Sequence, residues 1–149
     1  KHCFSRWKCR QQTRQSKKTW HTNHARRWIF ENYRSKLKNG KILITQRNLQ
    51  KSQGGLWEFP GGKIEPNETK ENAIVREIKE ELDIDIKVEG YLSEKVFNYP
   101  EKDINLIALE CKKINGEIKL LEHEDYRWVD NSELANFEFA FVKITCFVS

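Results

Sequence analysis

The sequence predicts a single domain of the α/β (α+β) class, in which β-strands pack as a sandwich around a few helices. Three observations predict this class: short apolar runs rich in β-branched residues recur along the chain, one longer segment has helical periodicity, and glycine-containing turns separate them. The chain has 149 residues, 38% of them hydrophobic, which is enough for one domain with a substantial core.

The first expected elements lie in the middle of the chain. The segment KILITQR (41–47) alternates as a strand does, and the turn pair Asn39-Gly40 before it predicts a hairpin, with a partner strand within 28–38. A loop, a short strand and a glycine turn are expected in 54–62. Residues 69–82 have the apolar spacing of a helix.

The later part of the chain alternates between strands and turns. Four strands are expected, at 84–88, 90–97, 105–111 and 126–129. A helix should follow, beginning at Asn131 or Ser132, because either side chain can cap its first turn.

The first part of the chain differs in charge from the rest. Residues 1–41 contain thirteen Lys/Arg and one acid, Glu31; within a total of +5, their net charge of +12 leaves −7 for residues 42–149. The polar, basic composition of residues 1–27 cannot bury enough apolar surface to offset the entropy of ordering. We therefore expect a poorly ordered basic arm over 1–27 and one domain over 28–149.

The aromatic residues of the basic arm leave one alternative open. Trp7 and Trp20 are interleaved with basic residues, a composition that can bind RNA or phosphates. A charge run is more often simply solvated, so we do not expect this arm to bind nucleic acid. We expect a monomer.

The cysteines and histidines do not indicate a disulfide framework or a zinc site. Cys111 and Cys146 lie in apolar surroundings, where reduced thiols behave as small hydrophobes. The spacing of the remaining candidate ligands does not match that of zinc fingers; these ligands are Cys3, Cys9, His21 and His24. Since no run of 18 or more residues is apolar, we expect no membrane association and a cytoplasmic location.

An acidic cluster on the expected helix carries the strongest chemical signal. Glu77, Glu80 and Glu81 fall within about 100° of one another on a helical wheel, beside an apolar stripe of Ile74, Val75, Ile78 and Leu82. Like charges so close repel one another, and a divalent cation would relieve the repulsion. Oxygen ligands alone favour Mg²⁺, with Mn²⁺ as an alternative, whereas a solvated glutamate-rich face would need no ion.

The loop before this helix supports the ion site. Gly61 and Gly62 allow the backbone to approach an ion or a phosphate closely. Arg76 can pair with Glu68 or Glu80 and so hold the loop against the helix. The loop and helix together form a platform with a metal-binding edge.

These residues resemble the Nudix box. The matching pattern is Gly62, five residues, Glu68, seven residues, Arg76-Glu77-Ile78, one residue, Glu80-Glu81. The flanking LWEFPGGKIEPNET is similar to MutT-like members, and the similarity extends over about residues 40–140. The resemblance implies an α/β/α sandwich with a mixed β-sheet.

The resemblance also implies roles for individual residues. The metal ligands would be the carbonyl of Gly61 and the carboxylates of Glu77, Glu80, Glu81 and Glu122. The catalytic groups would be Glu77, Glu80, Glu122 and Arg76, with Glu77 or Glu122 as the base, and Glu68 would support Arg76 through a salt bridge. The substrate would contact Arg47 through its phosphates, and also Gly62, Lys63, Phe59 and Phe97, with Tyr99 near the base.

The activity implied is Mg²⁺-dependent hydrolysis of a nucleoside triphosphate to the monophosphate and pyrophosphate. The substrates would be oxidised or modified nucleotides such as 8-oxo-dGTP, and the role would be sanitation of the nucleotide pool and DNA repair. Two alternatives remain: hydrolysis of another nucleoside diphosphate derivative, and a catalytically weak Nudix-fold module that binds RNA or another polyanion.

Three positions depart from the family pattern. Asp83 replaces a glycine that ends the helix with positive φ, and because Asp tolerates that conformation we expect little damage. Residues 32–38 (NYRSKLK) are too polar for the family's buried first strand. Residues 141–143 stand where the family carries a base-reading Asn or Asp. We therefore hypothesise that both ends of the chain are replaced relative to the family.

Overall fold

Two three-stranded β-sheets and one α-helix make up the part of the chain that the structure describes. The structure, a computed structural model, describes residues 41–98, 103–140 and 144–148, with only the backbone for 144–147. Its elements, in chain order, are β1 (Ile42–Arg47), β2 (Trp57–Glu58), α1 (Lys70–Leu82), β3 (Asp85–Asn98), β4 (Asp103–Asn115), β5 (His123–Val129), a 3₁₀-helix (Glu133–Asn136) and β6 (Ile144–Val148).

Several expectations lie outside the described residues. These are the basic arm, the strand before Asn39-Gly40 and the segment 141–143, for which we hypothesise a replacement relative to the family. Among the residues that are described, no helix is long and apolar enough to span a membrane.

The two sheets differ in their strand directions. In the first sheet, with strand order β2-β1-β5, both pairings are antiparallel. In the second, with order β3-β4-β6, β3 and β4 are antiparallel whereas β4 and β6 are parallel, so this sheet is mixed. The strands and helix confirm the predicted α/β (α+β) class.

Strands β1 and β4 are buried on both faces. Ile42 and Ile44 pack into one hydrophobic cluster and Leu43 into a second, and on β4 Ala108 and Leu109 divide in the same way. Near-continuous apolar runs are expected of strands covered on both sides. The second cluster also contains the apolar side of α1, and the first contains Leu134 of the 3₁₀-helix, which gives the layering of an α/β/α sandwich.

Helix α1 begins and ends at the residues that the sequence indicated. Thr69 is its N-cap and accepts a hydrogen bond from the backbone N–H of Asn72 at 3.2 Å. Asp83 ends it in the left-handed conformation, at φ 53° and ψ 27°, with its N–H donating to the carbonyl of Lys79 at 3.0 Å. The expectation that Asp tolerates this position is confirmed; its carboxylate also pairs with Lys79 at 3.0 Å and Lys119 at 2.7 Å.

Some details of the sequence-based expectations are wrong. Val75 is 40% exposed and does not belong to the buried stripe, because it lies at the far edge of the helical face. The two strands expected at 84–88 and 90–97 are one continuous strand, β3. Its pairing with β4 is irregular at the expected break, between Val88 and Gly90. The helix expected at Ser132 is a short 3₁₀-helix, and the Ser132 side chain makes no capping hydrogen bond.

The redox state expected for Cys111 is also wrong. This residue is fully buried on β4 and is disulfide-bonded. The spacing of cysteines along the sequence could not indicate this, because pairing depends on which segments the fold brings together.

Candidate active site

Three neighbouring strands bring three polar side chains together. Arg47 ends β1, Glu58 ends β2 and His123 begins β5, and β1 is the middle strand of that sheet. The pairing of β1 with β5 shifts between Gln46 and Arg47, so that Arg47 lies opposite His123. This shift brings the start of β5, and with it Glu122, to the edge of the site.

Glu58 is a buried acid held by a cation and a histidine. Its side chain is 4% exposed. One carboxylate oxygen accepts a hydrogen bond from Nη1 of Arg47, and the other lies 3.0 Å from Nε2 of His123. The Nε of Arg47 also donates to the carbonyl of Ser52 at 3.0 Å, which fixes the plane of the guanidinium. His123 is itself buried, and its Nδ1 has no hydrogen-bond partner within the part of the chain that is described.

The glycine loop and α1 hold Glu77 in place. Its Oε1 accepts a hydrogen bond from the backbone N–H of Lys63 at 2.9 Å, and its side chain is 17% exposed. Gly62 makes this approach possible, since a Cβ atom at that position would lie 2.1–2.3 Å from the carboxylate of Glu77.

Arg76 joins the loop to the helix through several contacts. Its Nε and Nη2 donate to the two oxygens of Glu68, each at 2.9 Å, and Nη2 also donates to the carbonyl of Lys63 at 3.0 Å. Its Nη1 lies 3.2 Å from both Glu77 and Glu80. The bidentate bond from Arg76 lowers the pKa of the Glu68 carboxyl. The sequence left the partner open between Glu68 and Glu80, and Arg76 binds both.

These groups border a pocket of about 330 Å³. Its lining combines acids with cations: Arg47, Asn48, Lys51, Glu58, Lys63, Glu77, Glu81, Glu122 and His123. The sequence singled out five of these residues, while Asn48, Lys51, Glu58 and His123 were missed. Glu58 and His123 could have been suspected from their adjacency to the glycine turn and to Glu122. Lys51 had no signal beyond its place in a loop.

Glu81 lies deepest among the acids of α1. Burial away from water raises the pKa of its carboxyl to about 8, and the negative charges of Glu58, Glu77 and Glu122 act in the same direction. The backbone N–H of Gly61, 3.3 Å from Oε2, opposes this by donating a hydrogen bond. A carboxylate in such surroundings is stabilised by any cation that can enter the pocket.

Glu80 points elsewhere. Its side chain is 58% exposed, pairs with Arg76 and does not line the pocket. Neighbouring positions on a helix differ by 100°, so Glu81 faces the pocket while Glu80 turns toward solvent. The sequence had placed both on one metal-binding face, and Glu80 would have to leave Arg76 to join that face.

Glu122 reaches the pocket from the segment before β5. Its Oε2 contacts Nζ of Lys51, and this ammonium lowers the pKa of the Glu122 carboxyl. Both side chains are about half exposed, at 51% for Glu122 and 48% for Lys51.

Phe59 and Phe97, two of the aromatic residues predicted to contact the substrate, do not line this pocket. Phe59 is buried and stacks on Phe139 with ring centroids 4.9 Å apart, which makes it part of the core. Phe97 is partly buried against the same cluster. Tyr99 lies outside the described residues.

The donor chemistry of the pocket fits a divalent metal. Glu77, Glu81 and Glu122 supply only oxygen atoms, the ligands that Mg²⁺ and Mn²⁺ prefer, and their mutual repulsion is relieved by a cation. Over residues 41–98 and 103–140, no three side chains are already gathered as a metal site. Loading would therefore require side-chain movements at Glu80 and Glu122, which now contact Arg76 and Lys51.

Comparison with known proteins identifies the same region. The family model described as "NUDIX domain" matches residues 22–145. The CTP pyrophosphohydrolase of Escherichia coli (strain K12) is 37% identical over 103 residues, which is 69% of this chain and 76% of that protein. The 8-oxo-dGTP diphosphatase of Proteus vulgaris is 44% identical over 69 residues, which is 46% of this chain and 62% of that protein.

A solved structure extends the comparison to the fold. The crystal structure of the MutT protein from Methanosarcina mazei Go1 matches with a TM-score of 0.60 at 26% identity. The match covers 70% of this chain and 77% of that one.

Proposed function

Since the chain belongs to the Nudix family as a MutT-type hydrolase of nucleotide anhydride bonds, we propose that it is a Mg²⁺-dependent nucleoside triphosphate diphosphatase. The proposed substrates are oxidised or modified nucleotides such as 8-oxo-dGTP. Water adds across the bond between the α- and β-phosphoryl groups, and the products are the nucleoside monophosphate and pyrophosphate. The supporting observation is the pocket in which Glu77, Glu81 and Glu122 face basic side chains.

The metal would be held by the acids of α1 and of the segment before β5. The proposed ligands are the Gly61 carbonyl, Glu77, Glu80, Glu81 and Glu122. When bound, the ion supplies positive charge that neutralises the polyphosphate and makes a water molecule more acidic. Glu77 is held in place by the Lys63 N–H, which suits a group that must orient or deprotonate water.

The cations of the pocket would bind the phosphates. Arg47 keeps a rigid orientation through Glu58 and Ser52, so its guanidinium can meet phosphate oxygens without first becoming ordered. Lys63 lines the same pocket and adds a second positive charge. Such fixed charges lower the free energy of the transition state because they need no reorganisation during the reaction.

The nucleobase that the enzyme prefers must be determined by experiment, because two similar proteins are named after different substrates. One similar protein is named a CTP pyrophosphohydrolase and another an 8-oxo-dGTP diphosphatase. The test is pyrophosphate release from 8-oxo-dGTP, dGTP, CTP and dCTP, with and without Mg²⁺, with the monophosphate identified by chromatography. The proposal requires Mg²⁺-dependent release of pyrophosphate with the highest kcat/KM for 8-oxo-dGTP. A higher kcat/KM for CTP would contradict the proposed substrate and identify the protein as a pyrimidine nucleotide hydrolase.

A variant separates this enzyme from a module that only binds polyanions. Glu80→Gln should abolish turnover, because it removes a proposed metal ligand, and should leave any binding of RNA by the basic segment intact. If the wild-type protein releases no pyrophosphate from any of the four nucleotides but retains RNA, it is a binding module. We further propose that the protein is a monomer and acts in the cytoplasm; size-exclusion chromatography with light scattering tests the monomer.

A further inference from the structure

A tightly hydrogen-bonded loop follows β1 and carries Lys51 at its middle. The backbone N–H of Lys51 donates to the carbonyl of Asn48, and its own carbonyl accepts from the N–H of Gly54, both at 3.0 Å. The N–H of Gly55 returns to the carbonyl of Arg47 at 2.9 Å, which closes the loop. The backbone at Lys51 is therefore fixed, and only its long side chain remains free to change direction.

The loop is also tied to the sheet by side chains. Gln46 donates from Nε2 to the carbonyl of Gly55 at 2.9 Å, and Arg47 donates from Nε to that of Ser52 at 3.0 Å. The backbone N–H of Leu49 lies 3.3 Å from the carboxylate of Glu124, close to the start of β5. The loop and the segment that carries Glu122 are thus held side by side.

Lys51 uses this position to contact Glu122. Its Nζ meets Oε2 of Glu122, while both side chains remain about half exposed to solvent. Exposed ion pairs of this kind contribute little to stability, so the contact can be exchanged at low cost. Glu122 is also a proposed metal ligand, and one carboxylate oxygen cannot hold the ammonium and the metal in the same place.

The two cations at this end of the pocket are held very differently. Arg47 is fixed by Glu58 and Ser52 and cannot leave without removing the cationic partner of the buried Glu58 carboxylate. Lys51 has one exposed partner. A lysine ammonium is a compact charge on a flexible stem, which suits it to follow a phosphate group as the occupancy of the pocket changes.

We propose that Lys51 is the exchangeable cation of this pocket. In the metal-free protein the Lys51 ammonium pairs with the Glu122 carboxylate. The divalent metal displaces Lys51 from Glu122 when it binds. The released ammonium then binds the polyphosphate of the substrate. This inference rests on the proposed function for its last step. The first step concerns metal binding alone and can be tested without turnover.

The first experiment measures Mg²⁺ binding to the nucleotide-free protein by calorimetry at fixed pH and ionic strength. Lys51→Gln removes the competing ammonium and should tighten Mg²⁺ binding roughly twofold to fivefold, the range expected for an exposed ion pair. The matched control is Lys63→Gln, which removes the same charge from the same pocket but does not touch Glu122. Its effect should be clearly smaller, and equal effects would show that only the general field of the pocket changed.

A double-mutant cycle assigns the effect to the contact itself. In a Glu122→Gln background the partner of Lys51 is gone, so Lys51→Gln should no longer alter Mg²⁺ affinity. Lys51→Arg keeps the charge and should bind Mg²⁺ as the wild type does. Unchanged or weaker Mg²⁺ binding by Lys51→Gln would overturn the competition.

The second experiment measures binding of inorganic tripolyphosphate in saturating Mg²⁺, a probe that requires neither a base nor turnover. Lys51→Gln should weaken it roughly threefold to tenfold, opposite in sign to its effect on Mg²⁺. Unchanged tripolyphosphate binding would overturn the phosphate step. A wild-type protein that binds tripolyphosphate with this dependence on Lys51 but hydrolyses no nucleotide would disprove the proposed function and leave the exchange standing.

Discussion

The carboxylate of Glu77 fills the space in which any residue other than glycine at position 62 would place its Cβ atom. The hypothetical Cβ would lie 2.1 Å from Cδ of Glu77. Gly62 therefore does more than permit a turn, because it leaves room for Glu77 of the helix to reach the backbone N–H of Lys63.

We expect Gly62→Ala to move Glu77 and to lower kcat about 100-fold, because an ångström of misplacement at a reacting group has effects of this size. Stability should fall by about 1–3 kcal/mol from the overpacking. Gly90→Ala is the control, since its Cβ would meet Glu110 at an ordinary 3.6 Å. Steady-state kinetics and urea unfolding of both variants check this, and equal loss of activity in both would contradict it.

The ion pair of Glu68 with Arg76 should make stability depend on pH. Because Arg76 lowers the pKa of Glu68 below its ordinary 4.5, the folded state favours the ionised carboxylate. This stabilisation is complete above the unfolded pKa and is lost as pH falls through the lower, folded pKa. Tm should therefore be higher for the wild type than for Glu68→Gln at pH 7, and the difference should shrink below pH 4.5.

Thermal unfolding from pH 3 to pH 7 measures this difference directly. Glu89→Gln on β3 is the control, as an exposed acid far along the chain from Arg76. A difference between wild type and Glu68→Gln that stays constant over the whole range would mean that the carboxylate acts by shape and not by charge.

Glu81 should have opposite effects in the absence and presence of metal. Its carboxyl is partly buried near three other acids, so Glu81→Gln should raise the free energy of unfolding of the metal-free protein by about 1 kcal/mol. Mg²⁺ stabilises the wild type by mass action, and this increase in Tm should largely disappear in the variant.

Glu80→Gln provides the comparison for that experiment. Because Glu80 is a proposed metal ligand, its replacement should reduce the increase in Tm caused by Mg²⁺. Because its side chain is exposed, the replacement should not stabilise the metal-free protein. Differential scanning fluorimetry over a series of Mg²⁺ concentrations gives both quantities. If Glu81→Gln destabilised the metal-free protein, the repulsion inferred for this acid would not exist.

The buried pair of Glu58 and His123 should be important for stability. His123→Ala removes one partner of a buried acid and leaves a cavity, so we expect a loss of about 3 kcal/mol. His123→Gln can still donate to Glu58 and should lose clearly less. Urea unfolding measures both, with the exposed Tyr126→Ala as a control that should change stability by about 1 kcal/mol or less. Equal losses for Ala and Gln would show that the hydrogen bond to Glu58 is unimportant.

The sequence predicted local features better than distant contacts. Helix α1 and its left-handed end at Asp83 were foreseen, since each depends on neighbouring residues. The contacts around Glu58 and the ion pair of Lys51 were not, because they depend on strand order and on the irregular pairing of β1 with β5. Periodicity along a chain contains no information of that kind.

Orientation within a predicted element was a second source of error. A helical wheel placed Glu80 and Glu81 on one acidic face, yet Glu80 pairs with Arg76 at the surface and Glu81 lines the pocket. A helical wheel could not distinguish Glu80 from Glu81 because it contains no information on where the loop carrying Lys63 crosses the helix. The disulfide at Cys111 was missed for a related reason: proximity in space was not visible in spacing along the chain.

The end of α1 is joined by its backbone to the segment that leads to Glu122. The carbonyl of Leu82 accepts from the N–H of Lys119 at 2.9 Å, and that of Glu81 accepts from Leu121 at 3.1 Å. Two acids that are distant in sequence thus enter the pocket from points locked together by main-chain bonds. The length of the segment between residues 117 and 121 is therefore constrained, because adding or deleting one residue there would carry Glu122 out of register with Glu81.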